Sequence, residues 1–99
     1  MKRLLWEAEA RADLMRIVDH FADKDPRIAT LLVDRIEAAA AALRRADTGR
    51  PGRVPNLREK SVARTSYIIA YRSLARRVVI VRVIHAAQDW PKGKLPAQG

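Results

Sequence analysis

Apolar positions along this chain change period once, near its middle, and the change divides the sequence into two kinds of structure. Leu14, Ile17, Val18 and Phe21 fall at i, i+3, i+4 and i+7, the stripe of an amphipathic helix that begins near Glu7. Asp23-Lys24-Asp25-Pro26 ends it. Asp25 is a suitable cap for a second helix and Pro26 a suitable first residue, since proline's missing N–H has no partner there in any case. That helix is predicted over Pro26–Arg45, with Ile28, Leu32, Ile36, Ala39, Ala40 and Leu43 as its apolar stripe and Arg44 and Arg45 complementing its dipole. So short a link between helices predicts an antiparallel hairpin. Glu7 with Arg11, and Asp13 with Arg16, are spaced to pair on its exposed side.

Beyond Gly49 the spacing suits strands. Gly49-Arg50-Pro51-Gly52-Arg53-Val54-Pro55, with two glycines and two prolines, excludes helix and central strand and predicts a loop. Three strands follow: Leu57–Val62, polar enough for an edge; Ser66–Arg72, with Tyr67, Ile69 and Tyr71 on one face; and Arg77–His85, nearly continuous in apolar residues. Lys2–Trp6 reads as a further edge strand, and the stretch from Trp90 as an irregular tail. The fold class is α+β: a helical hairpin on one face of a small, mostly antiparallel sheet, in the order β-α-α-β-β-β. By simple alternation Val79, Val81 and Val83 point one way and Val78, Ile80 and Ile84 the other. Two helices cover one sheet face only. The second is shielded either by sheet curvature and arginine stems or by a partner chain.

Ninety-nine residues suit one domain, here with residues 92–99 as a loose tail. Charge sharpens the division between the halves. Residues 1–48 carry nine basic and nine acidic side chains; residues 49–99 carry eleven basic ones against Glu59 and Asp89, the entire net charge of +9. Such a half suits a polyanion or an acidic protein. The absence of cysteine excludes disulfide and thiolate chemistry. No apolar run reaches the roughly 20 residues of a membrane span, so a soluble, cytoplasmic protein is expected. His20 and His85 stand on different elements, which leaves a metal site without enough ligands. No cofactor is expected.

The candidate chemistry is therefore cationic. Arg50 and Arg53 in the loop, Arg58 and Lys60 on the first late strand, Arg64 in the turn, Arg72, Arg82 and His85 are positions that a three-stranded sheet can bring to one end or one concave face. Edge strands also carry such residues simply to resist aggregation. Arg82 stands apart because it interrupts Val81-Arg82-Val83, where a charge is costly without a partner or nearby solvent. His85 is the side chain suited to proton transfer near neutral pH, or to orienting a neighbour through a hydrogen bond.

Several phrases, in order, carry a family resemblance. They are Ala8–Phe21, Asp25-Pro26, Leu32–Leu43, Gly49–Pro55, Leu57-Arg58-Glu59, Tyr67–Arg72 and Val81–Pro91. Together the chain resembles the RelE/ParE superfamily of toxins from type II toxin–antitoxin modules. The resemblance implies a growth-inhibiting toxin neutralised by a co-encoded acidic antitoxin, the pair contacting operator DNA through the antitoxin. It implies one of two targets: DNA gyrase, bound without an active site in ParE-like members, or messenger RNA on the ribosome, cleaved by RelE-like members. In the second case Arg58, Arg64 and Arg82 would supply cations and His85 a proton; in either, Arg50, Arg53, Arg58, Lys60, Arg72 and Arg82 would meet the target. Tyr67, Tyr71, Val79, Val81 and Val83 would meet the antitoxin. Arginine replaces the lysine cluster of RelE-like enzymes, and no tyrosine follows Tyr71. Arginine is a poor base, so ParE-like descent is the reading preferred here.

Overall fold

The structure is a computed structural model describing residues 1–87. Asp89, Trp90 and the predicted tail lie outside the described residues. Seven elements occur among the described residues: β1 (Arg3–Trp6), α1 (Ala8–Ala22), α2 (Pro26–Ala42), β2 (Arg50–Pro51), β3 (Arg58–Ser61), β4 (Tyr67–Ser73) and β5 (Arg77–His85). They form an α+β fold in which the helical hairpin lies on one face of a five-stranded mixed sheet of order β1-β5-β4-β3-β2. β5 lies inside the sheet, between β1 and β4. β1 runs parallel to β5, and every other pairing is antiparallel.

α2 begins as its sequence requires: the Asp25 carboxylate accepts from the Arg27 N–H at 3.1 Å, and Pro26 occupies the first turn. The helix stops at Ala42, short of Arg45, so Arg44 and Arg45 follow it instead of closing its last turn. Ile28 is exposed and Ala29 buried, which rotates the expected stripe slightly. The Gly49–Pro55 segment holds a two-residue strand, β2, beside β3. Pro51 is tolerated there because an outermost strand can spare its N–H.

The helix-facing core gathers Ala10, Ile17, Ile36, Ala40 and Leu43 against Val62, Ile69, Tyr71, Val78, Ile80 and Val83, with Leu4, Trp6 and Tyr67 partly buried beside them. Val54, Leu57, Ala70 and Val81 make a second cluster, with Val79 partly buried against it. The loop before β3 thus covers part of the second sheet face with its own valine and leucine. Neither arginine stems nor a partner chain is needed over that part.

Alternation along β5 is not regular. Tyr71 pairs with Ile80, but Ala70 pairs with Arg82, so Val81 is an extra residue in the ladder. Such a bulge resets the inside-outside alternation. Val83 therefore joins Val78 and Ile80 in the helix-side core, while Val81 lies in the second cluster. The expected common orientation of Val79, Val81 and Val83 does not occur.

Candidate functional site

The expected convergence of cations does not occur either. Most arginines of the basic half are held by four acids, of which Glu7, Asp13 and Asp47 come from the neutral half and Glu59 from the basic one. Arg82 is the clearest case. It is 8% exposed and Asp13 5%. The Arg82 Nε donates to Asp13 Oδ2 at 2.8 Å and Nη2 to Oδ1 at 3.1 Å, a two-pronged ion pair. The same Oδ2 accepts the Val83 backbone N–H at 2.8 Å. Arg16 also bonds Asp13, and Glu9 lies 3.5 Å from Arg82 Nη1. Asp13 is thus a core-facing residue of α1, in phase with Ala10 and Ile17, and not on the exposed side where its spacing to Arg16 suggested. The Asp13 hydrogen bond, working against burial, raises the pKa of Arg82 and keeps it a fixed cation.

A second network fixes the start of the loop. Asp47 accepts from both the Tyr71 hydroxyl and Arg58 Nε, the latter at 2.8 Å. Arg58 Nη2 also reaches the Gly49 carbonyl. The Gly49 N–H donates to the Tyr71 hydroxyl oxygen at 2.9 Å. A Cβ at Gly49 would lie 2.2 Å from that oxygen and 2.7 Å from the Glu59 carbonyl, so only glycine fits. Burial first, then the bond to Asp47, raises the Tyr71 pKa. Burial also acts to raise the pKa of Asp47, but hydrogen bonds from Tyr71 and Arg58 outweigh it and leave the carboxyl below its ordinary value.

Glu59, 4% exposed, anchors the rest of the loop. Its Oε2 accepts from the Arg53 N–H at 2.9 Å and from Arg53 Nε at 3.1 Å, and Arg50 lies 3.9 Å from Oε1. Arg72 meets Glu7 at 3.2 Å, so Glu7 serves β4 and not its helix neighbour Arg11. Arg64 sits in the β3–β4 turn with φ 62°, its carbonyl accepting from Arg35 Nη1 at 3.0 Å. Lys60 is half-buried on β3.

His85 ends β5 opposite Tyr67, the rings edge to face with centroids 5.3 Å apart. Its Nδ1 accepts the Ala87 N–H at 3.1 Å. The guanidinium of Arg82 is engaged beneath α1, and that of Arg58 beside Asp47. Among the residues expected to meet an antitoxin, Tyr71, Val81 and Val83 are at most 4% exposed inside the chain's own core. Tyr67 and Val79 are half-buried.

The sequence stripes did not disclose the outer side of the helical hairpin. Val18, Ala22, Pro26, Ala29, Thr30, Val33 and one acid, Asp34, line a groove of about 320 Å³ between the two helices. On the same two helices Met15, Ile28 and Leu31 are 58%, 41% and 47% exposed. No helix of the described residues is long and apolar enough to cross a membrane.

A helical hairpin on a five-stranded mixed sheet is the architecture of a toxin domain of the ParE/RelE superfamily. Residues 4–90 match the model of the ParE toxin of type II toxin–antitoxin systems, and the chain belongs to that family. It is 40% identical over 92 residues to the protein Y4kP of Sinorhizobium fredii, covering 92% of this chain and 95% of that one. It is 30% identical over 88 residues to the toxin RelE1 of Caulobacter vibrioides, covering 87% and 95%. Among solved structures it is similar to a chain of the chromosomal ParDE toxin–antitoxin system of P. aeruginosa. There the TM-score is 0.78 and identity 28%, over 86% of this chain and 96% of that one. A chain of the RelBE2 toxin–antitoxin complex of Mycobacterium tuberculosis follows, with TM-score 0.58 and 28% identity over 88% and 93%.

Proposed function

We propose that this toxin arrests growth by binding DNA gyrase, without an active site of its own, and that a co-encoded acidic antitoxin neutralises it. The observation that carries the reading is the fate of the candidate catalytic cations. Arg82 is committed to Asp13 and Arg58 to Asp47, which favours a surface-binding mode over phosphodiester cleavage. The match to the ParE family model supports the same choice of target. The antitoxin is an acidic chain that lays an amphipathic segment along the α1–α2 groove, where Met15 and Leu31 supply exposed apolar contacts. Its acidic residues complement a chain of net charge +9. The pair reaches operator DNA through the antitoxin.

A second reading keeps a specific observation in its favour: 30% identity to a toxin named RelE1 supports ribosome-dependent cleavage of messenger RNA. One pair of assays separates the two. Purified toxin is added to a gyrase supercoiling reaction and, in parallel, to a translation extract with a labelled message. Loss of supercoiling with accumulation of cleaved DNA, and an intact message, is the expected result. Normal supercoiling at saturating toxin, with the message cut and the cutting lost in His85→Ala, would replace the gyrase reading with the ribonuclease one.

A further inference from the structure

Nine of the fifteen arginines in the described residues use their guanidinium in a hydrogen bond or ion pair; Arg3, Arg11, Arg45, Arg64, Arg76 and Arg77 do not. Four of those six meet at one end of the sheet. Arg3 is the register partner of Arg77 across β1 and β5, and its N–H donates to the Arg76 carbonyl at 3.0 Å. Arg45 is brought to the same end by its neighbour. The Lys2 N–H donates to the Arg44 carbonyl at 3.1 Å, and Arg44 Nε returns a bond to the Lys2 carbonyl at 2.7 Å. Lys2 itself donates to Ser73 Oγ at 2.9 Å.

Faces follow from the register. Leu5 pairs with Val79, which lies on the face opposite the helices, so Arg3 and Arg77, each two residues earlier, lie on that face too. Like charges directly across a ladder destabilise it, and among the described residues no acid pairs with either. The acids nearest Arg3 and Arg45 along the chain are engaged elsewhere, Glu7 with Arg72 and Asp47 with Arg58 and Tyr71. All four arginines are exposed. A guanidinium with every donor open to solvent is the group that grips phosphate oxygens in pairs. Aromatic side chains are absent from the segments that build this end (residues 1–5, 44–47 and 74–77), so it offers no platform on which unpaired bases could stack. An acidic peptide would be held here by charge alone, since the groove that could take its side chains lies between the helices.

We propose that this end of the sheet docks the phosphate backbone of duplex nucleic acid, gripping it by charge and not by base sequence. The inference does not rest on the gyrase reading. The test is fluorescence anisotropy of the full chain with a labelled duplex DNA of arbitrary sequence, across a series of salt concentrations. Two triple variants remove equal charge from exposed, partnerless positions: R3Q/R76Q/R77Q at the proposed surface and R11Q/K24Q/R64Q away from it. Three lost phosphate contacts should flatten the plot of log affinity against log salt by about 2.7, at about 0.9 per contact. The expected result is that slope change and a loss of tenfold or more in the first variant, with the second within about twofold of the parent. R76Q alone should flatten the slope by about 0.9 and needs no other change to the surface. Equal losses in both triple variants would mean that bulk charge alone binds DNA, and would overturn the proposal. So would unchanged affinity in the first variant. If the first variant lost binding to polyglutamate or to anionic vesicles but not to duplex, the occupant would be an acidic peptide or a membrane, and the proposal would fail as well.

Discussion

Replacing Asp13 by alanine should be among the most damaging single changes in this chain. The pair it forms with Arg82 is nearly dry, with side-chain exposures of 6% and 10%. Alanine leaves a buried guanidinium whose remaining acid, Glu9, is 68% exposed and 3.5 Å away. It also leaves the Val83 N–H without its acceptor. Breaking one side of a buried ion pair costs about 3–5 kcal/mol, because the surviving charge stays desolvated. Small domains have about 5–15 kcal/mol in total, so about a fifth or more of the stability should go. In urea, with a slope of about 1–3 kcal/mol per molar, the midpoint should fall by more than about 1 M. The companion measurement removes both partners, Asp13→Leu with Arg82→Met. An apolar pair of similar volume avoids the orphaned charge, so the double variant should lie within about 2 kcal/mol of the parent. Strong coupling between the two sites is the signature sought. A cost below about 1 kcal/mol for Asp13→Ala, or additive losses in the double variant, would refute the idea that this pair fastens α1 to β5.

Two further outcomes follow from the loop. Gly49→Ala should destabilise by several kcal/mol, of the order of other overpacked or strained sites, since its Cβ would meet the Tyr71 hydroxyl and the Glu59 carbonyl; a urea midpoint equal to the parent's would contradict this. The raised pKa of Tyr71 sets an alkaline limit. Below the unfolded value near 10 its stabilisation is fully present, and it is lost as pH rises from there through the higher folded value. The urea midpoint should therefore fall as pH rises above about 10, and less steeply in Tyr71→Phe. Tyr67, also raised by burial, accounts for part of the slope that remains. Identical slopes in parent and variant would remove Tyr71 from the account.

Local chemistry made much of this fold readable. Asp25-Pro26 marked the start of α2, and the bounds of Arg77–His85 came directly from its apolar run. The charge of Arg82 inside that run signalled a partner. Its identity was not legible, because Asp13 is 69 positions away and its spacing to Arg16 offered a satisfactory surface pairing. The better signal was its phase: Asp13 shares the helical stripe of Ala10 and Ile17, so an acid on a buried stripe faced a base in a buried strand. Alternation failed at Val81 because bulges leave no mark in residue type. The spread of the arginines was illegible for the same reason as Arg82: counting acids by half of the sequence ignores Glu7, Asp13 and Asp47 crossing over. The second sheet face was misjudged because the glycine- and proline-rich segment was read for its turns, while Val54 within it, and Leu57 just after it, turned out to be wall.

The extra residue at Val81 makes β5 intolerant of a change in length. Removing one residue there would restore an even ladder and swing everything downstream through half a turn. Val83 would leave the interior, and the amide that reaches Asp13 would be replaced by its neighbour's. Relatives that stay folded should therefore differ in length at the hairpin tips and keep the count between Arg77 and His85 unchanged.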